Sequence, residues 1–357
     1  MSKAEHRWAS SSVDSMKIIH VSGVTKHFLN SPSYIRGTND RASNHSCTVP
    51  YDTVSVDLNG DCYLCSCEAW LPIPVGNILD FSKLEDIWTS NYANKLQQTV
   101  SNKEYTYCAT SHCGINHRNV HSNSPGYNIY LNIDDSCNLA CPSCRKTAKM
   151  HIEGPEFSAK QLQVYHMIEL INSTDKPVTI IMIGSGDPLA SYIVRPLLKN
   201  LKLADNKKVV LFTNGLLLKK VLPETNIMDS IIQYSISIDA GSKEVYEQVR
   251  RPGKFEVLID NLEWLQKTNN NKIDVRLKFC LSAANAHDVI AFEKLCSRLG
   301  FVGEITKLDD WGTFDNFSEH AVLDNPLHPL YNVAMDQLRT VATSPNIVFN
   351  PYVKGLL

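Results

Sequence analysis

Tyr127-Asn128-Ile129-Tyr130-Leu131-Asn132-Ile133-Asp134-Asp135-Ser136-Cys137-Asn138-Leu139-Ala140-Cys141-Pro142-Ser143-Cys144-Arg145 is a strand-like alternation that runs straight into a cysteine loop. Cys137, Cys141 and Cys144 stand in the spacing C-x3-C-x2-C, which lets three thiolates wrap one corner of a cubane iron–sulfur cluster. Such clusters need soft, anionic ligands, and a [4Fe–4S] cluster normally takes four thiolates. A loop that supplies three leaves one iron open, as catalytic metal sites do and structural ones do not. The alternative is a zinc loop with incidental cysteines, although structural zinc sites usually pair C-x2-C with a second, distant pair.

Further motifs lie downstream. Gly184-Ser185-Gly186-Asp187-Pro188-Leu189 follows the apolar run Val178–Ile183, and Thr213-Asn214-Gly215 follows Val209–Phe212. Ser235-Ile236-Ser237-Ile238-Asp239-Ala240 comes next, then a stretch from Lys243 to Trp264 that holds Tyr246, Arg250 and Arg251. Together with the cysteine loop, this order resembles the radical S-adenosylmethionine (SAM) superfamily over about residues 127–311. The resemblance implies that SAM chelates the open iron and is cleaved by one electron to methionine and a 5′-deoxyadenosyl radical. It also implies that Gly184, Ser185, Gly186 and Asp187 hold the SAM amino group, and that Asn214, Ser237, Asp239 and Arg250 belong to the cofactor site, with Asp239 accepting from the ribose. Two positions depart from the common pattern: Ser143 where many members carry an aromatic residue, and Asp187 where they carry Glu.

The 357 residues suit one large domain and a smaller one, with 43% hydrophobic content to fill a core. A net charge of −2 offers no basic field for nucleic acid. Apolar runs are strand length, well short of the roughly twenty residues that span a bilayer, so no membrane association is expected. Eleven cysteines behind an N-terminus with no apolar signal core point to metal ligands in a reducing, cytoplasmic setting rather than to disulfides.

From Tyr127 onward, strands are expected at 127–134, 178–184, 208–213, 231–239, 273–282 and 303–309. Helical periodicity lies between them at 158–172 (Phe157, Leu162, Val164, Met167, Ile168), 191–203, 255–268 and 287–298. Successive strands about thirty residues apart are the size of right-handed βαβ units. The expected fold class is α/β: a partial (β/α)6 TIM-like barrel with a small N-terminal cysteine-rich module. Three strands also alternate polar and apolar residues: Asn128, Tyr130, Asn132 and Asp134 against Tyr127, Ile129, Leu131 and Ile133; Gln233, Ser235, Ser237 and Asp239 against Ile232, Tyr234, Ile236 and Ile238; Arg276, Lys278, Cys280 and Ser282 against Val275, Leu277, Phe279 and Leu281. Each strand therefore has one polar face, which lines a ligand-holding lumen or lies half-exposed. On the lumen reading Lys278 and Cys280 are catalytic candidates, although a free cysteine is commonly a small buried hydrophobe. Cys296, among Leu295 and Leu299, reads as packing.

Six cysteines precede the barrel: Cys47, Cys62, Cys65, Cys67, Cys108 and Cys113. Cys47, Gly60 and Cys65 have the form C-x12-G-x4-C, followed by Val75-Gly76-Asn77-Ile78, Leu84-Glu85-Asp86-Ile87-Trp88, and Cys108 with Cys113. The order is similar to the SPASM or twitch auxiliary cluster module, which usually follows the barrel. By that resemblance Cys47, Cys65, Cys108 and Cys113 are ligands of a second iron–sulfur cluster, with Cys62 and Cys67 as spare candidates. A four-cysteine zinc site fits the same count but is less favoured beside a redox enzyme. His112 and His117 are nearby alternatives. The expected organisation is an arm (1–46), the auxiliary module (47–126), the core barrel (127–311) and a C-terminal covering segment (312–357) whose helix, Pro329 to Thr343, presents Leu330, Val333, Leu338 and Val341 on one face.

The leading functional expectation is an enzyme that cleaves SAM and abstracts hydrogen from a peptide or a sugar-like small molecule, fed by a reducing protein such as a flavodoxin or ferredoxin. The alternative is a non-catalytic iron–sulfur electron carrier or metal-binding scaffold. A carrier has no need of the SAM-site set at Gly184–Asp187 and Ser237–Asp239.

Overall fold

The computed structural model describes residues 47–66, 71, 73–105, 107–108, 126–269 and 273–357. The described residues build one ten-stranded sheet of order β10-β9-β8-β7-β6-β5-β4-β1-β2-β3. Its strands are β1 (Thr53–Val56), β2 (Asp61–Tyr63), β3 (Gly76–Asn77), β4 (Tyr127–Leu131), β5 (Val178–Met182), β6 (Lys207–Thr213), β7 (Ile231–Ser237), β8 (Asp274–Leu281), β9 (Val302–Lys307) and β10 (Ile347–Phe349). Every pairing from β10 through to β1 is parallel, while β2 and β3 join antiparallel at the far edge. Ten α-helices occur among the described residues: α1 (Asp86–Thr89), α2 (Asn91–Ser101), α3 (Pro155–Ser173), α4 (Arg195–Asn200), α5 (Leu218–Val221), α6 (Lys243–Val249), α7 (Phe255–Asn269), α8 (Val289–Leu299), α9 (Tyr331–Val341) and α10 (Pro351–Leu356). The alternation of strand and helix from β4 to β9 is the architecture of a partial TIM-like barrel.

Alternation in the sequence becomes alternation in burial. β4 buries Tyr127, Ile129 and Leu131 and leaves Asn128 and Tyr130 half-buried. β8 buries Val275, Leu277, Phe279 and Leu281, with Arg276, Lys278 and Cys280 half-buried on the other side. No described helix is long and apolar enough to cross a membrane.

Four local expectations change. In β7 the register steps from Val209↔Ile231 to Val210↔Gln233, so Ile232 is an extra residue and stands 46% exposed while Ile231 takes the buried place. The helix expected over 191–203 contracts to α4, because 188–194 is a chain of turns: Ala190 N and Ser191 N donate to Asp187 O, and Ile193 N and Val194 N donate to Ser191 Oγ. Leu162 of α3 is exposed, because the buried stripe includes Lys160 and Gln163. Val333 of α9 is exposed too; Ala334, Met335, Leu338 and Val341 form its buried face. The tail does more than cover the barrel, since β10 pairs in parallel with β9 and α9 packs against α8.

The N-terminal strands are continuous with the barrel. β1 pairs with β4 from Thr53↔Asn128 to Val56↔Leu131. The β1–β2 turn is held by Asp57 Oδ1, which accepts from Asn59 N (2.8 Å) and Asp61 N (2.9 Å), and Gly60 adopts φ +83° there. From α3, the buried Lys160 Nζ donates to Leu58 O (2.8 Å) in this turn and to Ile133 O (3.1 Å) at the entry to the cysteine loop. Gln163 Nε2 adds a bond to Asn59 O at 2.6 Å. One helix thus ties the hairpin to the loop.

Candidate active site

The loop after β4 is held by its own polar residues. Asp135 accepts from Lys149 Nζ (2.8 Å) and sits 2.7 Å from His151 Nε2, and its carbonyl accepts from Arg145 Nη1 (2.6 Å). Burial opposes ionisation of Asp135, yet the Lys149 and His151 contacts hold its carboxyl below the ordinary carboxylate value. Cys137 N donates to Lys149 O and His151 N to Ser136 Oγ, so the segment after the cysteines folds back on the segment before them.

Within this frame Cys141 is buried, Cys137 half-buried and Cys144 exposed. Leu139 N donates to Cys137 Sγ at 3.4 Å, and Asn214 Nδ2 approaches the same sulfur at 3.8 Å while bonding Asn138 Oδ1 at 2.8 Å. Arg250 Nη1 points at Cys141 Sγ from 3.7 Å. Burial pushes the free Cys137 thiol up to about 11 and raises Cys141 as well; coordination to iron displaces those protons. Amide, carboxamide and guanidinium donors aimed at sulfur suit thiolates that carry cluster charge, so the donor set fits a [4Fe–4S] cluster.

Asp187 is the hub of the surrounding loops. It is 3% exposed; Oδ2 accepts from Thr213 Oγ1 (2.9 Å) and Asn214 N (2.7 Å), and Oδ1 from Leu189 N (3.0 Å) and Ala190 N (3.2 Å). Burial still raises its carboxyl, against these four donors. Its oxygens accept from both sides, so it clamps the Gly184–Leu189 and Thr213–Gly215 loops together. Asp187 N in turn donates to Ser136 O, at 2.8 Å. Gly186 permits that approach, because a Cβ there would lie 2.6 Å from both Asp134 O and Ser136 O. Gly184 (φ +144°) packs against Asn132, whose Oδ1 accepts from Ser185 N at 2.9 Å.

Asp239 lies past the end of β7, with φ +54°, so strand alternation no longer fixes its direction. Its Oδ2 pairs with Arg250 Nη2 at 2.6 Å and its Oδ1 accepts from Cys280 N at 2.8 Å. Burial raises the carboxyl while Arg250 pulls it back. Each oxygen has one protein partner, so Asp239 places Arg250 and keeps lone pairs on both oxygens for further donors. Ser237 is half-buried at the end of β7. Nearby, Ser235 Oγ, Tyr246 OH and Arg250 Nε are buried without a hydrogen-bond partner. A ligand with hydroxyl and carboxylate groups, as SAM has, would satisfy such atoms.

On the polar side of β8 and β9, Lys278 Nζ meets Glu304 Oε2 at 2.5 Å, and Arg276 reaches Glu304 (3.5 Å) and Asp274 (2.7 Å). Glu304 has no signal in the sequence beyond its place on a strand. Cys280 Sγ contacts Lys307 O at 3.3 Å, and burial, then Asp239, pushes its thiol up to about 12. At neutral pH it is therefore a thiol rather than a thiolate. Cys296 is fully buried in the core.

Among the N-terminal cysteines, Cys62 is fully buried in β2 with Sγ 3.8 Å from Gly60 O, and burial followed by Asp61, Asp57 and Asp80 raises it. That environment suits packing. Cys65 is buried just after β2, while Cys47 and Cys108 both pack against Val100 and Tyr105. Cys67 and Cys113, with His112 and His117, lie outside the described residues.

Two family models match in the order read from the residues: the radical SAM superfamily over residues 131–277 and the SPASM iron–sulfur cluster-binding domain over 47–114. Residues 131–277 form a radical SAM superfamily domain, and a SPASM domain precedes it at 47–114. The radical SAM domain implies a [4Fe–4S] cluster used with SAM, and the SPASM domain implies additional iron–sulfur clusters. Similar curated proteins include an AdoMet-dependent heme synthase of Methanosarcina barkeri (28% identical over 167 residues, 46% of each chain). A probable GTP 3′,8-cyclase of Methanocaldococcus jannaschii is 25% identical over 50% of this chain and 57% of its own, and the mycofactocin maturase of Mycolicibacterium smegmatis 25% over 48% and 42%. The chain spans about half the length of these relatives. Among solved structures, Streptococcus suis SuiB bound to the precursor peptide SuiA aligns with TM-score 0.41 at 14% identity, over 72% of this chain and 53% of that one.

One expected result concerns metal content. Anaerobically reconstituted protein should carry about eight irons per chain if both clusters are [4Fe–4S]. Elemental analysis giving one zinc with about four irons would instead make the N-terminal module a structural zinc site.

Proposed function

We propose that this chain cleaves SAM reductively and uses the product to take a hydrogen atom from an organic substrate, either a peptide or a sugar-like small molecule. The observation that carries the reading is the three-cysteine loop whose sulfurs meet Leu139 N, Asn214 Nδ2 and Arg250 Nη1. Cys137, Cys141 and Cys144 would hold a [4Fe–4S] cluster, which with SAM would supply one-electron reductive cleavage. The residues around it orient and enclose. Asp187 locks the two loops that flank the cysteines, Asn214 bridges them to Asn138, and Arg250 offers positive charge beside Cys141. Lys278, paired with Glu304, and Cys280 are proposed to face the substrate from β8. A reducing protein such as a flavodoxin or ferredoxin is the proposed electron source, and the SPASM-domain cysteines the proposed ligands of a second cluster.

The test is anaerobic incubation of reduced protein with SAM. Formation of 5′-deoxyadenosine is expected; its absence from protein with a full complement of iron would leave an electron carrier as the better reading. Cys280→Ala should keep this uncoupled cleavage within about threefold, because the thiol is not a cluster ligand. A loss of all cleavage would place Cys280 in the cofactor site instead.

A further inference from the structure

The geometry points to the buried Asp239–Arg250 ion pair as the element that sets the reduction potential of the cluster held by Cys137, Cys141 and Cys144. This rests on the reading given under the proposed function. Arg250 makes two contacts with one guanidinium: Nη1 lies 3.7 Å from Cys141 Sγ, and Nη2 lies 2.6 Å from Asp239 Oδ2. Its side chain is 14% exposed and that of Asp239 7%, so solvent screens little of either charge. Cluster potentials follow net charge, hydrogen bonds to sulfur and burial. A cation against a ligand sulfur favours the reduced state, which carries one more negative charge. A carboxylate behind that cation takes part of the effect away.

Neither partner is free to swing. Asp239 has φ +54°, its Oδ1 is held by Cys280 N at 2.8 Å, and its carbonyl accepts from Asn285 Nδ2 at 2.9 Å. The residue after Arg250 is fastened to the cluster loop as well, through Ala140 N donating to Arg251 O at 2.6 Å. The pair therefore presents a fixed dipole to Cys141, positive end inward. Asp239 acts through Arg250 and is a positioning residue. Because its second oxygen is bonded to β8 beside Lys278 and Cys280, the strand proposed to meet substrate is wired to the same dipole.

The test is a potentiometric titration of the cluster in the reconstituted full chain, without SAM, followed by electron paramagnetic resonance. Iron content and visible absorption are read first. Asp239→Asn should raise the potential, Arg250→Gln should lower it, and Arg250→Lys should stay near the parent. Each charge-removing variant should change the reduced-to-oxidised ratio at a fixed applied potential at least tenfold, equivalent to about 59 mV for one electron. A purely structural role would loosen the loop in both variants and move them the same way. Shifts of the same sign, or unmoved potentials with clusters intact, overturn the inference. If Asp239→Asn holds no cluster, the Gln and Lys variants decide: Gln must fall and Lys must not. A parent chain that never assembles a [4Fe–4S] cluster would instead sink the functional reading itself, and this inference with it.

Discussion

Alanine at Cys137, Cys141 and Cys144 together abolishes 5′-deoxyadenosine formation and removes roughly half of the bound iron, on the order of four atoms per chain. The fold survives, because the loop is framed by contacts that do not involve sulfur. Asp135 binds Lys149 and His151, Ser136 Oγ binds His151 N, and Ser136 O binds Asp187 N. Far-ultraviolet circular dichroism should be unchanged, while SAM cleavage followed by chromatography falls to background. Cleavage that persists in the triple variant would rule out the three-cysteine loop as the cluster site.

Asp187→Ala has the largest expected effect on stability. The substitution strips the acceptor from four buried donors: Thr213 Oγ1, Asn214 N, Leu189 N and Ala190 N. Each buried donor left unpaired costs about 1–3 kcal/mol, and relaxation of the loops returns part of it, so a loss of roughly 4 kcal/mol is expected. Cleavage activity should drop too, since Asn214 loses the anchor that keeps its carboxamide beside Cys137 and Asn138. Urea unfolding of the reconstituted protein measures the first effect. A loss under about 1 kcal/mol would mean that water replaces the carboxylate, and that Asp187 is no hub.

Local signals were readable in the residues, and non-local ones were not. C-x3-C-x2-C is a statement about one loop and needs no knowledge of the rest of the chain. The alternation of β4 and β8 survives into the structure because each strand buries one side and leaves the other half-buried. Alternation misplaced Ile232 and stops applying at Asp239, where the backbone departs from regular strand. Ile232 sits in the register shift of β7, and Asp239 follows the strand end with a left-handed φ. The Asp187 partners come from two separate loops, so no spacing within Gly184–Leu189 could show that its carboxylate joins the two. Periodicity misplaced Leu162 because it counts apolar residues, whereas α3 buries the stems of Lys160 and Gln163 to deliver their polar ends to carbonyls. In α9 it overlooked Ala334, too small to weigh in a pattern of large side chains.

The pairing of β1 with β4 has a consequence for how the molecule comes into being on the ribosome. β1 and β2 can close early through their short turn, but the other edge of β1 must wait until Asn128–Leu131 has been synthesised. Parallel pairing between distant segments forms late, because loop-closure entropy is lost before any contact is gained. In that interval an exposed strand edge and six nascent thiols share one short stretch of chain, open to mispairing and to stray metal. Metallation of the N-terminal module therefore belongs after the first barrel strand has emerged. Chains stalled before residue 128 should bind iron loosely, and release from the stall should tighten that binding in a single step.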